Sequence, residues 1–254
     1  VAEAGVDRAV SARVYAGIGL FVMVVVWHVV AVSRVFGSTV SSPTAVLRVL
    51  ADDKRRATLL AGVRVTMLES LQGFVWALVA AAIVALIATL VPVVRRGSDQ
   101  LGTIESAIPF VSLAPILLAL FDRDMVPSAM AACTAYFPLY LAFVSGLAAG
   151  PRSAIDLLTV LGASRWSVLL RARIPAGLPV LTTGMKVAMP LAIVGAVIGE
   201  WFGSNGGVGP ILLVAMRNYQ MPTMWAAVVA TMALALGLYG LCVVVDRIVV
   251  ARFG

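Results

Sequence analysis

The chain has 254 residues, of which 61% are hydrophobic and only 12% charged, where a soluble domain carries about 25% charged residues. Its charges are bunched between long apolar runs, which excludes an ordinary water-soluble globule. The formal charge of +7 is spread over short loops and forms no extended basic face, so it points to membrane-flanking arginines and away from a nucleic-acid surface.

A bilayer core of about 30 Å needs roughly 20 apolar residues in a helix. Six spans are predicted on that criterion, near residues 15–33, 71–94, 101–121, 125–149, 177–202 and 223–246. The first apolar run, Val14 to Val32, reads as a retained span, because no small-residue cleavage site followed by a soluble domain comes after it. His28 within it reads as structural. Residues 34–70 open with the turn signal Ser41-Ser42-Pro43 and are expected to form short interfacial helices through Asp52-Asp53-Lys54-Arg55-Arg56.

Arg95 and Arg96 close the second span, and Asp122-Arg123-Asp124 turns the third back into the fourth. Irregular backbone is not tolerated against lipid, so Pro109, Pro115, Pro138 and Pro190 are expected to face protein or a water-lined path. Glu69 and Glu105 lie near span ends and read as interfacial. Cys133 and Cys242 both fall inside spans and suggest neither a disulfide framework nor a metal site.

Residues 150–176 carry Arg152, Asp156, Arg165, Arg171 and Arg173, too many charges to cross a membrane. They are nevertheless patterned: Ile155, Leu158 and Leu161 recur at helical spacing, as do Trp166, Leu169, Leu170 and Ile174, with Gly162 between the two sets. Two short amphipathic helices joined at a glycine are predicted, suited either to lie on lipid or to fill a protein groove. With both termini on the cytoplasmic side, arginines and lysines divide ten inside against eight outside.

Lys186 and Glu200 are the charged candidates of the fifth span. Fourteen residues separate them, about 21 Å along a helix, so they cannot pair within it. Lys186 either snorkels to the headgroups or lines a path, and Glu200 either lines a path or braces the loop Ser204-Asn205-Gly206-Gly207. No Gly-Lys-Ser/Thr phosphate loop exists, because neither Lys54 nor Lys186 follows a glycine. A single histidine cannot support clustered-histidine metal chemistry, so neither a catalytic residue nor a metal site is expected.

The stretch from Asp156 through Leu161-Gly162-Ala163-Ser164, with Pro175 thirteen positions after the glycine, resembles the EAA motif of ABC importer permeases. Asp156 stands where the family has Glu, and Leu157 and Leu158 replace its small residues. Further fragments between residues 38 and 250 are similar to the nitrate, sulfonate, taurine and thiamine-precursor permease group. They include Ser42-Pro43, Thr66 through Gly73-Phe74, Ile108-Pro109, Leu113-Ala114-Pro115, Phe137-Pro138, Gly184-Met185-Lys186, Gly199-Glu200 and Gly207-Val208-Gly209. Phe121-Asp122 departs from the Phe-Gly turn usual there.

The resemblance implies an all-α, polytopic transmembrane bundle of the type I ABC importer permease kind, multi-pass in the bacterial inner membrane. Residues 1–70 would be an N-terminal span with an extracytoplasmic interfacial segment, and 71–254 the core transmembrane domain with its cytoplasmic coupling loop at 150–176. Asp156, Leu161, Gly162, Ala163, Ser164, Arg165 and Pro175 are the implied contacts to a separate ATPase, and Lys186, Glu200, Pro115 and Pro138 the candidates for path or gate. ATP and Mg would sit on that ATPase, with no cofactor on this chain. The other implied partners are a second permease subunit, identical or related, an extracytoplasmic solute-binding protein, and lipid. An ion-gradient-driven transporter or channel is the alternative, and a membrane-embedded enzyme is disfavoured by the shortage of catalytic side chains.

Overall fold

In a computed structural model, residues 2–91, 97, 100 and 108–253 are described, with the side chains of all of these except 2–13, 16 and 90. Arg95, Arg96, Glu105 and residues 101–107 of the third predicted span lie outside the described residues, as do the side chains of Arg8 and Arg13. The principal helices are α1 (Ala2–Ser33), α2 (Pro43–Ala51), α3 (Asp53–Leu90), α4 (Leu113–Leu120), α5 (Val126–Ala148), α6 (Arg152–Val160), α7 (Arg165–Gly203), α8 (Val208–Arg217) and α9 (Met221–Phe253). Among them α3, α5, α7 and α9 are long and apolar enough to cross a membrane, and shorter apolar helices lie at Gly17–Ser33, Phe110–Leu120 and Val208–Arg217.

Local chemistry sets the boundaries. Ser42 accepts the Ala45 N–H at 3.3 Å and Pro43 opens α2, where a missing N–H costs nothing. Asp52 ends that helix and at once starts the next, its carboxylate accepting the Arg55 N–H at 2.9 Å. From there α3 runs 38 residues without a break, about 57 Å. Residues 53–70, expected as an interfacial helix, are thus the first part of the same rod as the second span. Asp122-Arg123-Asp124 does make the tight α4–α5 connection. Met125 N–H donates to the Asp122 carbonyl at 2.9 Å, and Asp122 has φ −61°, so the turn needs no glycine there.

The described chain divides into two compact units, Val1–Leu59 with Ile211–Val229, and Leu60–Pro210 with Ala230–Gly254. In the first, the indoles of Trp27 and Trp225 stack with centroids 5.5 Å apart. They donate at 2.9 Å to the carbonyls of Ser41 and Thr39, and so hold the loop after α1 from two sides.

The second unit is built on small residues. Ala77, Ala81 and Ala85 of α3, Ala131 and Ala135 of α5, and Ala188, Ala192 and Ala196 of α7 are all buried in one core with Leu139, Tyr140 and Ile193. Alanine every fourth residue leaves a flat stripe that lets helix backbones approach, the packing that lipid-solvated bundles favour. Glycine carries this furthest between α5 and α7. A methyl group on Gly195 would overlap the Met130 carbonyl and the Thr134 hydroxyl, and Gly146 and Gly177 meet backbone to backbone.

Proline behaviour differs along the chain. Pro138 and Pro190 are half-buried inside α5 and α7, but Pro109 and Pro115 are exposed at the start of short helices. The first turn of a helix needs no N–H from its own residues, so these two need no protein cover to offset a lost hydrogen bond.

Candidate coupling surface and polar groups within the spans

The motif around Gly162 is a helix stop followed at once by a helix start. Gly162 N–H donates to the Thr159 carbonyl at 3.0 Å and Ala163 N–H to the Leu158 carbonyl at 2.9 Å, the paired bonds that close a helix through a left-handed residue. Gly162 supplies that residue with φ +77°. Ser164 then turns extended and its hydroxyl accepts the Ser167 N–H at 3.3 Å, capping α7. Leu161, Gly162, Ala163 and Ser164 therefore do act together as a turn.

The second predicted amphipathic helix is not separate: it is the first two turns of α7, which runs on as a span. Pro175 lies in that run. Proline cannot donate, and its ring clashes with the carbonyl four residues back. The helix widens just before it, with a π-type turn over Leu169–Arg173 in which Ile174 N–H reaches the Leu169 carbonyl.

Apolar side chains project outward from this turn. Val160 is 84% and Leu161 73% exposed, and Leu157, Trp166 and Leu170 are exposed beside them. Asp156 and Arg165 are exposed as well, and among the described residues the ion pairs are Arg56–Asp53 and Lys186–Asp246. Asp156 and Arg165 thus stand as separate charges on the rim of an apolar face.

Lys186 and Glu200 find different partners, neither of them solvent. Lys186 Nζ lies 2.6 Å from Asp246 Oδ2 on α9, with side chains 21% and 15% exposed, and the Thr182 hydroxyl donates to Asp246 Oδ1 at 2.6 Å. Glu200 is 1% exposed. Its Oε1 accepts from the Thr66 hydroxyl and its Oε2 from the Gly209 N–H, both at 2.5 Å, while Thr66 Oγ1 accepts the Val208 N–H at 2.9 Å. An anionic group at the positive end of a helix is a stabilising arrangement, and here Glu200 and Thr66 together cap α8. Gly207, at φ +96°, and Gly209 lie so close that a methyl on either would overlap the Glu200 side chain.

Glu69 joins this cluster. Because α3 starts at Asp53, residue 69 lies sixteen positions inside the helix. Its carboxyl lies beside Glu200 and Ser204. His28, expected to be structural, is exposed on α1.

Three partners escaped the sequence reading. Thr66 fell in a segment taken as interfacial, Asp246 at the last position of a predicted span, and Thr182 had no periodic signature. The one available signal was Asp246 as a carboxylate at the end of a long apolar run.

Residues 73–251 match the model of the family described as binding-protein-dependent transport system inner membrane component. A probable ABC transporter permease protein of Haemophilus influenzae is 32% identical over 69% of this chain and 72% of its own length. The riboflavin transport system permease protein RibX of Chloroflexus aurantiacus is 29% identical over 58% of the chain and 55% of itself. The formylaminopyrimidine transport permease protein ThiX of Halalkalibacterium halodurans is 30% identical over 53% and 54%. The chain thus spans about half the length of the last two. A structure of the MetNI methionine ABC transporter, inward facing, superposes with a TM-score of 0.65 at 17% identity, covering 78% of this chain and 99% of that one, which shows a shared fold.

Proposed function

Since the chain belongs to the family of binding-protein-dependent transport system inner membrane components, we propose that it is one of two permease subunits lining the solute path of an ATP-driven importer. It is a multi-pass protein of the inner membrane. Its turn at residues 157–170 is the docking surface for a separate ATPase subunit, which holds ATP and Mg. A solute-binding protein on the far side delivers a small solute of the kind its relatives are named for.

The observation that carries this reading is the exposed apolar face of Leu157, Val160, Leu161, Trp166 and Leu170 on a rigidly hydrogen-bonded turn. Clustered exposed apolar side chains on a charged loop fit an interaction site, and a short amphipathic helix fits a protein groove.

The geometry also supports a way to transmit movement. Trp166 and Glu200 belong to one helix of 39 residues, about 58 Å long. A displacement imposed at the docking turn moves a rod tied to α9 through Lys186–Asp246 and to α8 through Glu200. ATP, by binding the closed ATPase pair better, shifts the bundle from inward to outward facing. This chain performs no covalent chemistry in that cycle.

Co-purification tests the docking role. Leu161→Glu and Trp166→Glu, at exposed positions, should leave membrane insertion unchanged and release the ATPase subunit, and the purified chain alone should not hydrolyse ATP. Retention of the ATPase by both variants would remove the docking surface from this turn.

A further inference from the structure

A pocket of about 360 Å³ lies between the end of α3, α6 and the start of α7. Arg165 and Arg173 line it together with Thr89 and Thr159, beside the buried Val168 and Leu169. Arg173 is half-buried. The ion pairs among the described residues are Arg56–Asp53 and Lys186–Asp246, so among those residues neither arginine of the pocket has a carboxylate partner.

The pocket is turned away from the face offered to the ATPase. At about 100° per residue, Ile155 and Thr159, which line it, lie within about 40° of each other on α6. The exposed Leu157 and Val160 are centred about 150° away on the same helix. Depth points the same way. After Glu69, α3 carries no charged residue, so residues 70–90 are its membrane-embedded part, about 30 Å long and equal to the hydrocarbon layer. Thr89 therefore marks the boundary where headgroups begin.

We propose that this pocket binds the headgroup of an anionic phospholipid, with the phosphate between Arg165 and Arg173. Guanidinium forks match phosphate oxygens, and charge-assisted bonds of this kind are the strong ones. Basic pockets between spans take such headgroups. The hydroxyls of Thr89 and Thr159 donate to the carbonyls of Ala85 and Ile155, each at 2.8 Å, which leaves their oxygens as acceptors. A polyol headgroup brings the matching donors, so phosphatidylglycerol fits where bare phosphate leaves the threonines unmatched. The site requires the membrane placement of the chain and not its docking role.

The test is native mass spectrometry of the permease–ATPase complex, delipidated in neutral detergent and titrated with phosphatidylglycerol or phosphatidylcholine. Wild type should hold one phosphatidylglycerol per permease chain and prefer it to phosphatidylcholine by about tenfold. Arg165→Gln and Arg173→Gln should each lower that preference about threefold, and the double variant should abolish it. Arg173→Lys, which keeps the charge without the planar fork, should fall between wild type and Arg173→Gln. Arg152→Gln, in the same loop but outside the pocket, should match wild type, and excess inorganic phosphate should leave the lipid bound.

Equal binding of the two lipids would overturn the proposal. So would a loss in Arg152→Gln as large as in Arg173→Gln, which would reduce the preference to diffuse charge attraction. Displacement by inorganic phosphate would overturn it in favour of a free-phosphate site. Binding that appears only after the ATPase is stripped would do so by assigning the arginines to carboxylates of that subunit. If no ATPase co-purifies, the docking reading fails, while the same titration on the chain alone still decides the lipid site.

Discussion

Substituting Gly162 separates torsional strain from packing. Gly162 has φ +77°, and a side chain built on it meets nothing within 4 Å, so every cost of a larger residue is conformational. The left-handed region costs an L-residue about 1–2 kcal/mol relative to glycine, and Asn visits it readily. A β-branched residue is a true outlier there, at about 1–3 kcal/mol. The predicted order of harm is Gly162→Asn, then Ala, then Val. The strain is relieved locally by breaking the Gly162–Thr159 and Ala163–Leu158 bonds, each worth about 0.5–1.5 kcal/mol, which swings α6 away from the start of α7 and leaves the spans intact. Expression and membrane insertion of Gly162→Val should therefore match wild type, while ATPase co-purification weakens and uptake falls at least tenfold. Uptake at the wild-type level in Gly162→Val, or Asn as harmful as Val, would refute the left-handed turn as the reason. Loss of uptake only on neutralising Arg171 and Arg173 would point instead to a helix lying on lipid.

The Glu200 cluster should register as stability: Glu200→Ala removes two charge-assisted bonds worth about 1.5–3 kcal/mol each, so thermal unfolding in detergent should drop by roughly 6–24 °C. Glu200→Gln should cost clearly less, and equal losses would contradict the capping role. Lys186→Met and Asp246→Asn should each destabilise the chain more than the double variant does, because each single change leaves one charge unpaired between helices; additive effects in the double-variant cycle would show that the pair does not couple α7 to α9. Gly195→Leu should prevent α5 and α7 from closing and abolish folded protein by size exclusion, whereas Gly237→Leu, facing open space, should fold normally. Indifference at both positions would refute backbone-close packing.

Legibility followed the length scale of each signal. Apolar runs are a property of twenty residues at a time, so α3, α5, α7 and α9 were readable, as was the turn at Gly162, where amphipathic spacing and a glycine coincide. Helix continuity was not readable at Asp52, because charges at 52–56 look like an interface whether or not the helix continues through them. One carboxylate, Asp52, both ends α2 and starts α3, and only the three-dimensional cap distinguishes a break from a kink. Pairings across helices were invisible for another reason. Lys186 with Asp246 and Glu200 with Thr66 are 60 and 134 residues apart, and no local pattern encodes which helices are neighbours. The alanine stripes at 77, 81 and 85 and at 188, 192 and 196 do encode it in part, as small residues every fourth position mark the faces that pack.

Uptake by the complete assembly tests the permease assignment most directly. The chain, its ATPase and its binding protein are reconstituted in proteoliposomes, and entry of labelled solute is followed with ATP supplied on the ATPase side. Uptake should require hydrolysable ATP, stop when the ATPase is inactivated, and persist when ionophores collapse every ion gradient. Transport that runs on an ion gradient without ATP, or by this chain alone, would contradict the assignment and favour a secondary transporter or channel.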